Sequence, residues 1–167
     1  VGGEEKAEQV RRACEDLPFN VEVRLIENRG RDVSALLVGL KDIIMDYDLV
    51  CFIHDKKVTQ LSLYSKGDGF AVKCFDNLLP TREFVSNVIA TFDREPRLGM
   101  LMPTPPNHAD YFPISAFGWG PNFVRTRKLL AELGICVPMD HDKEPIAPLG
   151  TMFWFRPAAL APLFDHD

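Results

Sequence analysis

Two apolar runs with a helical pattern between them organise the first third of the chain. Val21 to Ile26 is rich in β-branched residues and Leu49 to Ile53 is a nearly continuous apolar run, so both are typical of strands. Continuous apolar runs are common where helices cover both faces of a parallel sheet. The pattern therefore predicts a βαβ unit from Val21 to His54 with a right-handed crossover. The apolar positions of its helix are Val33, Leu36, Leu37, Leu40, Ile43 and Ile44.

Helical and strand patterns alternate along the rest of the chain. Short apolar strands are predicted at Leu98 to Met102 and at Thr151 to Phe155. Residues 56–69 have the composition of a loop, 103–121 favour no regular element, and Pro157 opens a final helix. We therefore expect an α/β domain with a mostly parallel sheet flanked by helices. The remaining helical patterns are Glu4 to Asp16, Phe70 to Leu79, Thr81 to Phe92 and Phe123 to Leu133.

Composition narrows the class of protein. A chain of 167 residues with 46% hydrophobic and 26% charged residues is typical of one soluble globular domain. Its net charge of −5 and its scattered Lys and Arg residues disfavour a nucleic-acid-binding surface. No window reaches the ~18 apolar residues of a membrane span, and Val1 to Glu15 lacks the composition of a signal peptide. The missing initiator Met indicates a piece of a longer protein.

The cysteines indicate a reducing compartment. Cys14, Cys51, Cys74 and Cys136 have no CxxC spacing, so they predict neither a zinc site nor a disulfide framework. Cys51 lies inside an apolar run and is expected to be a buried free thiol.

A polar loop follows each strand of the predicted βαβ unit. If the strands are parallel neighbours, both loops emerge at the sheet edge where open α/β sheets bind ligands. Gly30 would let backbone N–H groups approach a phosphate, and Asp32 is placed to cap the next helix. The alternatives are an ordinary turn with solvated arginines and a charged loop with a structural histidine. The loops are Asn28-Arg29-Gly30-Arg31-Asp32 and His54-Asp55-Lys56-Lys57.

Two further groups of residues are candidate sites. Histidines with aspartate neighbours, at His108, His141 and His166, have donor atoms that suit a divalent ion, but they lack fixed metal-ligand spacing and favour solvated turns. Gly150 precedes the aromatic strand that contains Trp154. Aromatic faces can stack on sugar rings, whereas a core strand is the usual role of such a run.

Several segments, in order, resemble the rhamnan synthesis protein F family of bacterial polysaccharide assembly. The resemblance runs from about residue 20 to the end of the chain. It implies a divergent GT-A-like, Rossmann-like nucleotide-sugar fold that lacks part of the full domain. The segments are NRGRD (28–32), YDLVCFIHDKK (47–57), FDREPRLGMLMP (92–103), GWGPN (118–122) and GTMFWFRPAAL (150–160).

The resemblance also implies a function. The expected activity is transfer of rhamnose or a related sugar from a nucleotide-diphosphate donor to a cell-surface glycan acceptor. A module that binds glycan or nucleotide-sugar without turnover is the alternative, and a metal-dependent hydrolase is a third. The expected location is the cytoplasm, at the inner face of the membrane if other parts of the protein hold it there.

The resemblance implies a site as well. His54 and Asp55 are the catalytic candidates, in place of a metal-binding Asp-x-Asp. Lys56 and Lys57 would replace a cation at the diphosphate, so we expect no cofactor, with Mg²⁺ or Mn²⁺ as the alternative. Asp140, Asp142 and Glu144 are substitutes for a general base. The substrate-binding residues would be Asn28, Arg29, Gly30, Arg31, Asp32, Lys56 and Lys57 on the donor side and Gly150, Thr151, Met152 and Trp154 on the acceptor side.

Overall fold

The structure is a computed structural model that describes residues 3–27, 29–54, 71–104, 118–148 and 150–166. The chain divides into two compact units, Val1–Asp46 and Tyr47–Asp167. The second unit contains a three-stranded sheet. The single domain expected from chain length stays a prediction.

Helix α1, Glu4–Ala13, opens the first unit. Acidic residues lie in its first turn and arginines in its last, an arrangement that suits the helix dipole. Arg11 pairs with Glu4 at 2.9 Å at the surface, and Ala7 is the fully buried residue of this helix. The helix ends at Ala13, before the end that the sequence pattern predicts at Asp16.

The strand predicted at Val21 to Ile26 is wrong, because residues 21–27 make no strand pairing in the structure. Arg24 anchors this segment instead. Its guanidinium donates to the Gly39 carbonyl at 3.2 Å and pairs with the Asp42 carboxylate. The hydrogen bond from Arg24 lowers the pKa of Asp42. A β-branched run becomes a strand only where a neighbour accepts its backbone hydrogen bonds, and here a polar anchor holds the run in place.

Helix α2 is Arg31–Leu37. The residue at its N-cap is Gly30, whose φ is 79°. The cap predicted at Asp32 is therefore wrong, because Asp32 lies one position inside the helix, in its first turn. An acidic side chain there still suits the positive end of the helix dipole.

Gly39 ends the helical pattern early. A Cβ atom at this position would lie 2.8 Å from the Ala35 carbonyl oxygen and 3.1 Å from Cγ2 of Ile26. The chain turns there and forms a short 3-10 helix at Ile44–Asp46. Ile26 can therefore approach this closely only because Gly39 has no side chain. The predicted apolar positions after Gly39 belong to a turn and to the 3-10 helix.

The sheet of the second unit is small and antiparallel. Its strands are β1 (Val50–Phe52), β2 (Met100–Leu101) and β3 (Phe153–Phe155). Both β1 and β2 pair antiparallel with the central strand β3. They therefore run in the same direction, and their carboxyl ends lie at the edge of the sheet where β3 begins.

The predicted fold, a mostly parallel Rossmann-like sheet of the GT-A type, is wrong for this chain. The βαβ unit lacks its first strand, and β1 pairs with β3 in the antiparallel sense. All three residues of β3 are buried. A central strand covered on both faces produces a continuous apolar run in either type of sheet, so the run indicates burial and does not indicate strand direction.

The helices of the second unit agree better with the sequence pattern. Helix α4 begins after Thr81, whose hydroxyl accepts a hydrogen bond from the Phe84 N–H at 3.2 Å. Gly134, with a φ of 66°, follows α5. None of the described helices is both long and apolar enough to cross a membrane. The helices are α3 (71–76), α4 (Arg82–Arg94), α5 (Asn122–Glu132), a 3-10 turn at Pro157–Leu160 and α6 (Ala161–Phe164).

Buried side chains from α3, α4 and β3 form the core of the second unit. Trp154 carries the polar contact of this cluster, since its indole N–H donates to the Leu78 carbonyl at 3.1 Å. A buried indole usually finds such a partner. The hydrogen bond ties the turn after α3 to the central strand. The cluster is Cys74, Leu78, Val88, Phe92, Met152 and Trp154.

Arg156 ties the sheet to α4. Its Nε donates to the Leu98 carbonyl at 3.1 Å, and its Nη2 donates to the Phe92 carbonyl at 2.6 Å. The guanidinium carbon also lies 5.3 Å from the centroid of the Phe92 ring. One side chain therefore satisfies carbonyl groups from the end of α4 and from the segment that leads into β2.

We expect Arg156→Met to lower the free energy of unfolding by about 2 kcal/mol, because two carbonyls lose a charged donor while most of the side-chain volume remains. Urea denaturation followed by circular dichroism measures the change. Arg82→Met, at the exposed start of α4, is the matched control and should stay within about 0.5 kcal/mol of the parent. Equal unfolding midpoints for Arg156→Met and the parent would show that these two hydrogen bonds do not stabilise the fold.

The four cysteines are free thiols, and their reactivity should differ. Burial in β1 raises the pKa of Cys51 to about 12, whereas Cys136 is exposed. Since the thiolate is the nucleophile, iodoacetamide at pH 8 should label Cys136 and spare Cys51, as read by peptide mass spectrometry. Both should react at similar rates in denaturant. Cys51 is half-buried rather than fully buried as the sequence predicts, and its rapid labelling in the folded protein would contradict the raised pKa.

Candidate functional site

A single side chain joins the end of β1 to the start of β3. Nε2 of His54 lies 2.8 Å from the carbonyl oxygen of Gly150, although the two residues are 96 positions apart in the chain. A carbonyl oxygen can only accept, so Nε2 carries the proton and donates. The imidazole is half-buried, and its centroid lies 6.1 Å from that of the Phe52 ring. Both contacts orient the ring, and the hydrogen bond commits Nε2 to donation.

This hydrogen bond connects the two strands just beyond the end of their backbone pairing. The pairing of β1 with β3 ends at Phe52 and Phe153, and the same register carried further would place His54 opposite Thr151. The ladder cannot continue, because Gly150 and Thr151 have φ values of 85° and 57°, far from those of a strand. The His54 side chain therefore makes the connection that the backbone cannot make.

Thr151 holds a strained backbone conformation. The left-handed region is open to glycine but costs a residue with a Cβ roughly 1–2 kcal/mol, and a β-branched residue there is an outlier. The Thr151 N–H donates to the Pro148 carbonyl at 2.9 Å. With the His54 contact to Gly150, two hydrogen bonds thus maintain the turn. Strain that the surroundings maintain in this way is common at binding and catalytic sites.

The glycine loop before α2 has the same backbone pattern. Gly30 and Arg31 have φ values of 79° and 56°. A Cβ at Gly30 would lie 2.8 Å from the Cβ of Ser34, so the loop requires a glycine at this position. Arg31 and Thr151 are the only residues other than glycine with a left-handed φ in the part of the chain that the structure describes. Each follows a glycine in a segment that the sequence singles out.

The predicted site residues fall into distinct places. Arg29 and Arg31 are exposed beside the glycine loop in the first unit, and Asp32 is half-buried. The prediction that both polar loops lie at one edge of the sheet required a strand at 21–26, and the structure has no strand there. Four of the predicted residues lie outside the described part of the chain: Asn28, Asp55, Lys56 and Lys57.

Two of the residues predicted on the acceptor side belong to the core. Met152 is fully buried, and the indole of Trp154 donates to the Leu78 carbonyl. Their side chains are therefore core residues, and we do not carry them into the proposed site. Gly150 and Thr151, directly before them, remain at the edge of the sheet together with His54.

Sequence reasoning missed an aromatic cluster between 118 and 143. The Trp119 indole N–H donates to the Asp140 carbonyl at 3.0 Å. The Trp119 and Phe123 rings lie edge to face with centroids 5.5 Å apart, and Phe123 and His141 do so at 5.2 Å. The sequence marks GWGPN and the acidic residues after 139 separately. Trp119 and Asp140 are 21 positions apart in the chain, so no local pattern reveals their contact.

The histidines of the described ranges do not assemble a metal site. His141 contacts the Asp142 carboxylate at 3.3 Å, but no group of three or more potential metal ligands is present in those ranges. His108 lies outside them. The reaction without a metal ion, expected from Lys56 and Lys57, stays a prediction.

Comparison with known proteins identifies the family. A sequence model of the family described as rhamnan synthesis protein F matches residues 1–167. No curated protein and no solved structure matches the chain. The family match confirms the resemblance read from the segments between 28 and 160. The chain therefore belongs to the rhamnan synthesis protein F family, whose role is in polysaccharide biosynthesis.

Proposed function

We propose that this chain transfers rhamnose or a related sugar from a nucleotide-diphosphate donor to a growing bacterial cell-surface polysaccharide. Family membership supplies the process. The observation that carries the proposal is the hydrogen bond between His54 and Gly150. It joins the HDKK and GTMFW segments at one edge of the sheet, and it supports a site at that edge.

In this proposal the edge of the sheet binds the diphosphate and the sugar of the donor. Lys56 and Lys57, which follow His54 in the sequence, neutralise the charge that develops on the leaving diphosphate. Nearby ammonium groups disfavour a divalent cation on Coulombic grounds, so the proposed reaction needs neither Mg²⁺ nor Mn²⁺. Asp55 is the catalytic carboxylate that contacts the donor.

His54 has a positioning role in the proposed reaction. Its Nε2 donates to Gly150, so this nitrogen does not accept a proton while the turn is intact. The bond fixes the left-handed turn at Thr151, which presents its backbone and hydroxyl at the site. The role of the glycine loop of the first unit in nucleotide-sugar binding, through Asn28, Arg29, Gly30, Arg31 and Asp32, stays a prediction from the family resemblance.

A module that binds nucleotide-sugar without turnover is the second candidate. The donation from Nε2 of His54 to Gly150 supports it, since this contact gives the histidine a structural role that requires no turnover. Release of nucleoside diphosphate in the presence of a rhamnose-containing acceptor distinguishes the two candidates. A transferase releases it at a rate that rises with acceptor concentration, whereas a binding module does not.

We expect Arg31→Ala and Lys56→Ala each to weaken binding of a thymidine-diphosphate sugar about tenfold or more, because each removes a charged donor to phosphate. Calorimetric titration measures the affinity. The controls are Arg125→Ala and Lys128→Ala, which remove exposed cations from α5 and should leave it unchanged. Unchanged affinity in both test variants would remove these residues from the site.

Saturation-transfer NMR compares thymidine-, uridine- and guanosine-diphosphate sugars with and without Mn²⁺. We expect signal for at least one donor without metal, because the lysines replace the cation at the diphosphate. Binding that requires Mn²⁺ would overturn the metal-free proposal. If no donor binds, the proposed donor site is wrong.

The role of His54 can be tested with two amide substitutions. The Gln side chain places its amide nitrogen about as far from Cα as imidazole Nε2, so His54→Gln should keep the donation to Gly150 and most of the donor affinity. The Asn side chain is one bond shorter, so His54→Asn should lose both. Proton transfer by His54 would instead make the two variants equally inactive in turnover. Amide chemical shifts of Thr151 report the state of the turn independently of any ligand.

A further inference from the structure

The aromatic cluster around Trp119 has the composition of a sugar-binding surface. Trp119, Phe123 and His141 form two successive edge-to-face contacts with interplanar angles of 83° and 82°. In an edge-to-face pair one ring contributes only its edge, so its faces are not covered by that partner. Trp119 is half-buried, and the His141 side chain is 66% exposed. The cluster therefore combines apolar ring surface with access to solvent.

Polar groups of fixed geometry border these rings. The Asp140 carbonyl accepts from the Trp119 indole at 3.0 Å. The Asp140 carboxylate accepts from the Asp142 N–H at 3.0 Å and pairs with Lys143 at 3.6 Å. These contacts hold the turn at 140–143 against the rings. The Asp142 side chain is 96% exposed and contacts His141 Nδ1 at 3.3 Å, so its carboxylate still has accepting capacity for other donors.

We propose that this surface, formed by Trp119, Phe123, His141, Asp142 and Lys143, binds a rhamnose unit of the acceptor glycan. A 6-deoxyhexose has an apolar face of C–H bonds and a methyl group that can pack on an aromatic ring, and it has hydroxyl groups that donate to a carboxylate. The surface supplies both kinds of partner. The identity of the sugar rests on the proposed function, while the chemistry of the surface does not.

The charge of this surface favours a neutral glycan over the charged donor. Lys143 pairs with Asp140, so the Asp142 carboxylate gives the turn at 140–143 a net negative charge beside the rings. A negative charge at this point repels a diphosphate. A neutral glycan carries no such penalty and gains hydrogen bonds to a charged acceptor, which are stronger than those between neutral groups. The surface therefore suits the acceptor and disfavours the nucleotide-sugar.

The two tryptophans of the chain allow a direct test. Methyl α-L-rhamnoside and a rhamnose disaccharide are titrated into the ¹⁵N-labelled chain, and the indole N–H signals are followed. We expect the Trp119 signal to shift and the signal of Trp154, whose indole is bonded to Leu78 in the core, to stay in place. An unmoved Trp119 signal, or equal shifts of both signals, would overturn the inference.

Substitutions assign the binding to this surface. Asp142→Asn should weaken the disaccharide about tenfold, because a hydrogen bond to a charged group becomes a neutral one. Asp93→Asn, on the exposed side of α4, is the control and should leave the affinity unchanged. Trp119→Phe keeps an aromatic ring but loses the donation to the Asp140 carbonyl, so it should also weaken the disaccharide. Equal affinity in Asp142→Asn and the parent would contradict the assigned surface.

Titration of a thymidine-diphosphate sugar separates failure of this inference from failure of the proposed function. Glycan binding at Trp119 without any nucleotide-sugar binding would support the acceptor surface and reject the donor site. Nucleotide-sugar binding without a Trp119 shift at saturating disaccharide would support the donor site and reject the acceptor surface. Asp142→Asn should leave nucleotide-sugar affinity unchanged, and His54→Asn should leave disaccharide affinity unchanged.

Discussion

The donation from His54 to the Gly150 carbonyl is the interaction on which the proposed site depends. It joins the two strands beyond their last ladder pair, Phe52 with Phe153, and holds Gly150 against the end of β1. The bond also determines the tautomer of the imidazole, since a carbonyl cannot donate. His54, which the sequence marks as a catalytic candidate, therefore also anchors the turn that contains the strained Thr151.

Local elements were largely predictable because their signals are local. The cap at Thr81, the stop at Gly134 and the apolar stripe of α4 each need only a few neighbouring residues to be recognised. Sheet topology could not be predicted in the same way. An apolar run reports how completely a strand is covered, and both antiparallel and parallel sheets can cover a central strand. The run at 21–26 failed for a related reason, because strand formation requires a partner that no local pattern reveals.

The sequence singled out segments with unusual backbone geometry, but it could not show which of their side chains are buried. Among the described residues, Arg31 and Thr151 are the two other than glycine with a left-handed φ, and both lie in segments that carry the family resemblance. Whether a side chain faces a ligand or the core depends on tertiary contacts. Trp154 illustrates this, since its indole N–H donates to the Leu78 backbone carbonyl in the core. Trp119 went unassigned because its partner lies on a distant turn.

The division of the chain into two compact units has a spectroscopic consequence. Every tryptophan and tyrosine of the sequence lies after residue 46, and Phe19 is the sole aromatic residue in Val1–Asp46. The tryptophan and tyrosine bands of fluorescence and near-ultraviolet dichroism therefore arise from the second unit. A first unit that melts separately, with its arginine-anchored segment and short helices, would be invisible to them and visible only to far-ultraviolet dichroism or hydrogen exchange.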